Sequence, residues 1–119
     1  MGARCVIDYV ELRSADGAAS RKFLETAFGW GFVDYGPDYS AFEKDGPDGT
    51  GLDGGIDNTG PAGAPLVILK TADLPAALAA VTAAGAEITR EPFDFPGGRR
   101  FQFREPGGAE MAVWAEPEA

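Results

Sequence analysis

The sequence predicts an α+β fold made of two copies of one β-α-β-β-β module. Three observations carry that expectation. The stretch Val10-Glu11-Leu12-Arg13-Ser14-Ala15-Asp16 returns fifty-seven residues later as Val67-Ile68-Leu69-Lys70-Thr71-Ala72-Asp73, with four of seven positions identical and two more conservative. Each copy ends a strand-like run on an aspartate suited to cap a helix. Each is then followed by the same succession: a helical stretch, a glycine stop at Gly29 or Gly85, and short runs divided by turns.

Taken in order, Cys5 to Leu12 reads as strand one, with Tyr9 and Glu11 on one face. Asp16 caps a helix from about Gly17 to Phe28, whose buried stripe is Phe23, Leu24, Ala27 and Phe28. Trp30 to Tyr35 and Tyr39 to Lys44 read as strands two and three around the Gly36-Pro37-Asp38 turn. The run Asp45 to Gly51 is too rich in glycine for regular structure. Leu52 to Ile56 is a short fourth strand, and its Gly54-Gly55 pair marks a close approach by a chain segment or a ligand.

The second module begins after a linker over 57–64 that carries Gly60-Pro61 and Gly63. Pro65 to Thr71 is a central, nearly all-apolar strand five. Asp73 caps a helix over 74–84, with Leu78 and Val81 in its stripe and Pro75 acceptable in its first turn. Ala86 to Arg90 is strand six, Pro92 to Gly98 a loop, and Arg99 to Arg104 strand seven. Glu105-Pro106-Gly107-Gly108 is a tight turn into strand eight, Ala109 to Ala115. The modules thus span about 5–56 and 65–115 of one domain. Neither half would bury much surface alone.

Composition excludes several functions. Ten basic residues against nineteen acidic ones give a net charge of −9, which disfavours nucleic acid, because phosphate binding needs a basic surface. No apolar run reaches the length of a membrane span, so no membrane partner is expected. The single cysteine, Cys5, has no partner for an internal disulfide, and no secretory leader is evident; a cytoplasmic location is expected. There is no histidine. Ser–His and Cys–His pairs and histidine metal sites are therefore excluded within one chain, and chemistry falls to carboxylates, tyrosine, arginine, lysine or backbone. No GxxxxGK[ST] or GxGxxG run supports a nucleotide.

Four stretches, in this order and spacing, carry a resemblance: Ile7-Asp8-Tyr9-Val10-Glu11-Leu12, Phe23 to Trp30, Phe95 to Phe101, and Glu105-Pro106-Gly107-Gly108-Ala109-Glu110-Met111-Ala112-Val113-Trp114. Together with the doubled module, they resemble the vicinal oxygen chelate superfamily of glyoxalases, bleomycin and fosfomycin resistance proteins and extradiol dioxygenases. The resemblance implies curved mixed sheets around a shared cavity. It also implies, together with the small size, a homodimer, with the modules paired within one chain or swapped between two. Metal-bearing members hold their ion on strands one, four, five and eight. The matching positions here are Tyr9, a place near Asp53 to Gly55, Leu66 and Ala112. Leucine and alanine have no lone pair to give a metal, so no metal and no cofactor are expected.

Strand alternation sets out the remaining pocket. Tyr9, Glu11, Leu66, Arg100, Gln102, Glu110, Ala112 and Trp114 are the candidate ligand-binding residues, with Met111, Val113, Phe101 and Phe103 turned to the helices. This mix suits a small organic molecule with polar handles. Glu11, Glu110 and Tyr9 are the candidate acid–base groups; equally, the two glutamates pair with Arg100 or Arg104, and Tyr9 and Trp114 serve packing. Phe93 and Phe95 are lid or core. Three functions stay open: metal-free binding of a small molecule, a cofactor-independent lyase or isomerase, and an accessory subunit with a vestigial cavity.

Overall fold

A computed structural model describes residues 4–42 and 51–117. Its elements are β1 (Cys5–Arg13), α1 (Gly17–Phe28), β2 (Val33–Asp34), β3 (Tyr39–Phe42), β4 (Asp53–Asp57), β5 (Gly63–Thr71), α2 (Leu74–Ala83), β6 (Glu87–Phe95), β7 (Gly98–Arg104) and β8 (Glu110–Ala115). This is the expected β-α-β-β-β order, twice. The expected continuation of strand three to Lys44, and the glycine-rich run from Asp45 to Thr50, lie outside the described residues. Among the described residues no helix is long and apolar enough to cross a membrane.

The chain divides into two compact units, Tyr9–Leu66 and Met1–Asp8 with Val67–Ala119, so the division passes through β1 and β5. In the first unit the strands run in the order β2-β3-β4-β1, antiparallel except for the parallel β4–β1 pair. In the second the order is β5-β8-β7-β6, with β5 and β8 parallel and the others antiparallel. Each helix is the crossover between parallel-aligned strands that a hairpin cannot supply.

Both helices start as the sequence predicts. Asp16 accepts from the Ala19 N–H and Asp73 from the Ala76 N–H, each at 3.1 Å. Helix α2 stops in a Schellman arrangement: Gly85 N–H donates to Thr82 and Ala86 N–H to Val81, with Gly85 at φ 102°, a conformation open to glycine. Helix α2 buries Leu74 and Ala77 against Phe101, Phe103 and Val113, and Leu78 and Val81 pack on the same cluster. Met111 joins it, so β8 turns Met111 and Val113 to the helix as expected.

Helix α1 departs from expectation. Its predicted buried stripe is not buried: Phe23 is 62% and Phe28 59% exposed, and no residue of the helix is fully covered. The half-buried positions are Gly17, Ser20, Arg21 and Leu24, the last being the one member of the expected stripe that is partly covered. Polar anchors set this rotation. Gly17 N–H donates to Asn58 Oδ1 at 3.1 Å, the Ser20 and Ser14 hydroxyls lie 2.6 Å apart, and Arg21 Nη1 reaches Ser40 Oγ at 3.5 Å. The displaced rings stack on one another, Phe23 edge-on to Phe28 and Phe28 against Trp30.

Strand boundaries also differ: β4 ends at Asp57 and β5 begins at Gly63, both inside the segment expected to be linker. The second strand is only Val33–Asp34, because Trp30 and Phe32 leave the ladder to pack on the ring of Phe42, with centroids 4.8 and 6.0 Å away. The sixth runs on to Phe95, through the segment expected to be a loop. Its register shifts between Arg90 and Phe93, and Pro92 falls inside that irregularity. A proline is tolerated there because it has no N–H to waste on a regular ladder. The turn before β8 forms as predicted, and Glu105 closes it: its carboxylate accepts from the N–H groups of Gly107 and Ala109 at 2.8 and 2.7 Å. Those two bonds hold the Glu105 pKa below the usual value.

Candidate functional site

In the first unit, strand register places functional side chains on one face. Glu11 on β1 and Ala41 on β3 both pair with Gly55 on β4, and Tyr9 pairs with Asp53. Paired residues share a face and alternate ones return to it. That face therefore carries Tyr9, Glu11, Tyr39, Asp53 and Gly55. Phe42 and Ile56, on the opposite face, are buried core.

Glycine at position 55 decides what this face can do. A Cβ there would stand 2.2 Å from the Tyr39 hydroxyl oxygen and 2.5 Å from its Cζ. Without one, the Tyr39 side chain crosses β4 at Gly55 and reaches β1. Its hydroxyl donates to Glu11 Oε2 at 3.1 Å and meets the Tyr9 hydroxyl at 2.5 Å. Glu11 is only 5% exposed. Burial, then the Glu11 charge, raises the Tyr39 pKa far above the phenol range. Burial likewise raises that of Tyr9, with Glu11 and Asp53 adding to it and the bond to Tyr39 opposing it. Both phenols are thus neutral hydrogen-bonding groups at any physiological pH. The neighbouring glycine, Gly54, leaves room for the Phe42 ring and the Val10 carbonyl.

In the second unit, β6, β7 and β8 build another polar face. Arg100 pairs with Trp114 and Gln102 with Ala112. Arg100 Nη2 donates to Gln102 Oε1 at 2.9 Å; Gln102 Nε2 donates to Glu110 Oε2 at 3.3 Å; Thr89 Oγ1 donates to the same oxygen at 2.9 Å. Gln102 therefore links Arg100 to Glu110. Aromatic groups flank this row. Arg90 stacks 3.6 Å above the Phe93 ring, and Arg100 lies 5.5 Å from it. Trp114 Nε1 donates to both carboxylate oxygens of Asp8, at 3.2 and 3.3 Å. The Phe95 ring stands at 62° to that of Trp114, and Lys70 Nζ lies 4.9 Å from it.

The structure thus brings Tyr9 and Glu11 together in one unit, and Arg100, Gln102, Glu110 and Trp114 in the other. Leu66 and Ala112 are 1% and 0% exposed and offer almost no surface. Arg104 turns outward to an exposed pair with Glu87. Sequence reasoning did not find Tyr39, Asp8 or Thr89. The signal for Tyr39 was the Gly54-Gly55 pair, which marks a close approach without naming its occupant. For Asp8 and Thr89 there was no signal, since only register and a bulge bring them to their partners. Phe93 and Phe95 prove to be strand residues that hold Arg90, Arg100 and Trp114. Among the described residues, hollows open in the first unit. One, of about 270 Å³, is lined by Arg13, Asp57, Thr59 and the 60–63 segment. Another, about 580 Å³, lies between α1 and the β2–β3 turn. Neither includes Tyr9 or Glu11.

Comparison with known proteins agrees with this fold. The family model described as Glyoxalase/Bleomycin resistance protein/Dioxygenase superfamily matches residues 6–113. No curated protein matches the chain. Among solved structures, one titled NAD-dependent benzaldehyde dehydrogenase, from Legionella pneumophila, aligns with TM-score 0.71 at 13% identity, over 91% of this chain and 97% of its own. A Mn(II)-bound glyoxalase from Novosphingobium aromaticivorans aligns at 0.70 and 23% identity, over 97% of this chain but only 40% of its own. Methylmalonyl-CoA epimerase from Mycobacterium tuberculosis aligns at 0.68 and 13%, over 95% and 88%. At these identities the likeness is one of fold. The manganese of the second relative does not suit this chain's residues. Among the described residues no three cysteine, aspartate or glutamate side chains are grouped to hold a metal ion, and it is the sequence resemblance that puts Tyr9, Leu66 and Ala112 where metal-bearing members carry ligands.

Proposed function

Because this chain belongs to the Glyoxalase/Bleomycin resistance protein/Dioxygenase superfamily, we propose that it binds a small organic molecule without a catalytic metal, against the Arg100–Gln102–Glu110 face of its second unit. The observation that carries this reading is the fixed row of polar groups. Gln102 cannot flip its amide without losing the bonds to both Arg100 and Glu110, so donor and acceptor positions are set before any ligand arrives. Preorganised polar groups beside aromatic rings suit a small ligand with polar handles. A guanidinium near the Phe93 and Trp114 rings favours a planar or anionic portion at that end.

The test is a thermal-shift screen of small organic acids, other metabolites and antibiotics in EDTA, repeated on Arg100→Gln and Gln102→Ala. A ligand at a hundred times its Kd stabilises by about 2.7 kcal/mol, a shift of several degrees for a chain of this size. Support is a shift that survives EDTA and is lost in both variants. A shift that appears only with a divalent metal, or that both variants retain, contradicts the proposal.

A further inference from the structure

Strand β6 carries two breaks in its ladder, and both turn side chains toward the polar face of the second unit. Its register pairs Ile88 with Phe103, Arg90 with Gln102 and Phe93 with Arg100, with shifts between Ile88 and Arg90 and between Arg90 and Phe93. In an unbroken strand alternate side chains share a face. Ile88 and Arg90 would then lie together, and Phe93 opposite Arg90. Here Ile88 packs with the buried Phe103 in the core against α2, while Arg90 and Phe93 share the face of Gln102 and Arg100. Bulges of this kind re-aim side chains and are over-represented beside active sites. Their product is an arginine held on a ring: the Arg90 guanidinium carbon is 3.6 Å from the Phe93 centroid. That close, the guanidinium lies on its flat side, because an edge-on nitrogen would overlap the ring. Its N–H donors lie in the guanidinium plane and stay open. Arg21, Arg99 and Arg104 pair with Glu25, Asp94 and Glu87. Among the described residues no carboxylate pairs with Arg90, in a chain of net charge −9.

We infer that Arg90 is the specificity-determining residue of the face proposed above, and that it selects a small organic acid whose carboxylate adjoins a flat apolar body. The inference rests on that proposed reading. The planar fork of a guanidinium matches the two oxygens of a carboxylate. Phe93 holds the fork before the ligand arrives, which lowers the cost of ordering a long side chain on binding. Arg100 is bonded to Gln102 and belongs to the polar row; Arg90 meets the anion. Neutral ligands of the same shape bind more weakly, because they bring no charge to the bond.

Gln102 is the only glutamine in the chain, so isotope-labelled glutamine gives one side-chain amide NMR signal at the centre of the face. Benzoate and benzamide share a shape and differ in charge. Titrated separately at pH 7, benzoate moves that signal at a concentration at least about tenfold below that of benzamide, the scale of a charge-assisted bond. Arg90 is exposed, so Arg90→Met leaves the core as it is. In that variant the preference narrows to about twofold or less, the screened remainder from other charges. Arg99→Met removes an exposed charge from the opposite face of β7 and retains the preference. Benzamide acting as readily as benzoate, no response to benzoate, a preference kept in Arg90→Met, or one lost equally in Arg99→Met each overturns the inference. The two readings fail separately. A ligand from the EDTA screen that Arg90→Met binds as tightly as the wild type removes Arg90 and leaves the proposed function standing; a screen without any such ligand removes the proposed function itself.

Discussion

Gly55→Ala tests the geometry of the first unit most sharply. The added methyl would lie 2.2 Å from the Tyr39 oxygen, where ordinary contact begins at 3.4 Å. The ring must retreat by about 1 Å in a close-packed setting, which breaks its 3.1 Å bond to Glu11. Losing a hydrogen bond to a buried charge costs about 1.5–3 kcal/mol, and overpacking a further 1–3 kcal/mol or so. Alanine returns about 0.4–1 kcal/mol through the unfolded chain, because Gly55 is not among the positive-φ glycines. The net loss is about 1.5–5.5 kcal/mol. Urea unfolding of the wild type, both single variants and Gly55→Ala/Tyr39→Ala measures it as a cycle. In the Tyr39→Ala background the Gly55→Ala penalty falls below about 0.5 kcal/mol. A Gly55→Ala loss that small in the wild type, or an equal loss in both backgrounds, refutes the claim that glycine is there for Tyr39.

Further outcomes follow from the same structure. Tyr9 and Tyr39 have pKa values raised above the ordinary 10.0, so the unfolded chain loses protons first in alkali; their contribution to stability is complete below pH 10 and fades as pH rises above it. Denaturant unfolding from pH 8 to 11.5 should show that decline, and a shallower one in Tyr39→Phe. Phe101 is fully buried and Phe23 is 62% exposed, so Phe101→Ala costs about 3–5 kcal/mol and Phe23→Ala less than about 0.5 kcal/mol; similar losses would restore the buried stripe first expected for α1. Asp73→Ala removes the cap bond to Ala76 and costs about 1 kcal/mol, read from the urea midpoint.

Much of the architecture was legible because it rests on local rules. The repeat, the two aspartate caps and the glycine stop at Gly85 each act within a few residues, and all appear where expected. The departures come from longer range. The α1 apolar pattern is amphipathic, but hydrogen bonds to Ser14, Ser40 and Asn58 turn a different stripe inward. Pro92 reads as a loop residue until the β6–β7 register shows a bulge to hold it. For the candidate site, alternation along single strands grouped Tyr9 with Glu11, and Arg100 with Gln102. Their partners Tyr39, Thr89 and Asp8 lie 28, 21 and 106 residues from the groups they bond. Only tertiary register brings them there.

The central claim is that this chain keeps the superfamily fold without the superfamily's metal. Elemental analysis of untagged protein, expressed with manganese, iron, nickel and zinc supplied and then gel-filtered, tests it directly. The account predicts far less than one equivalent of any transition metal per chain. One retained equivalent of manganese, iron, nickel or zinc would contradict it.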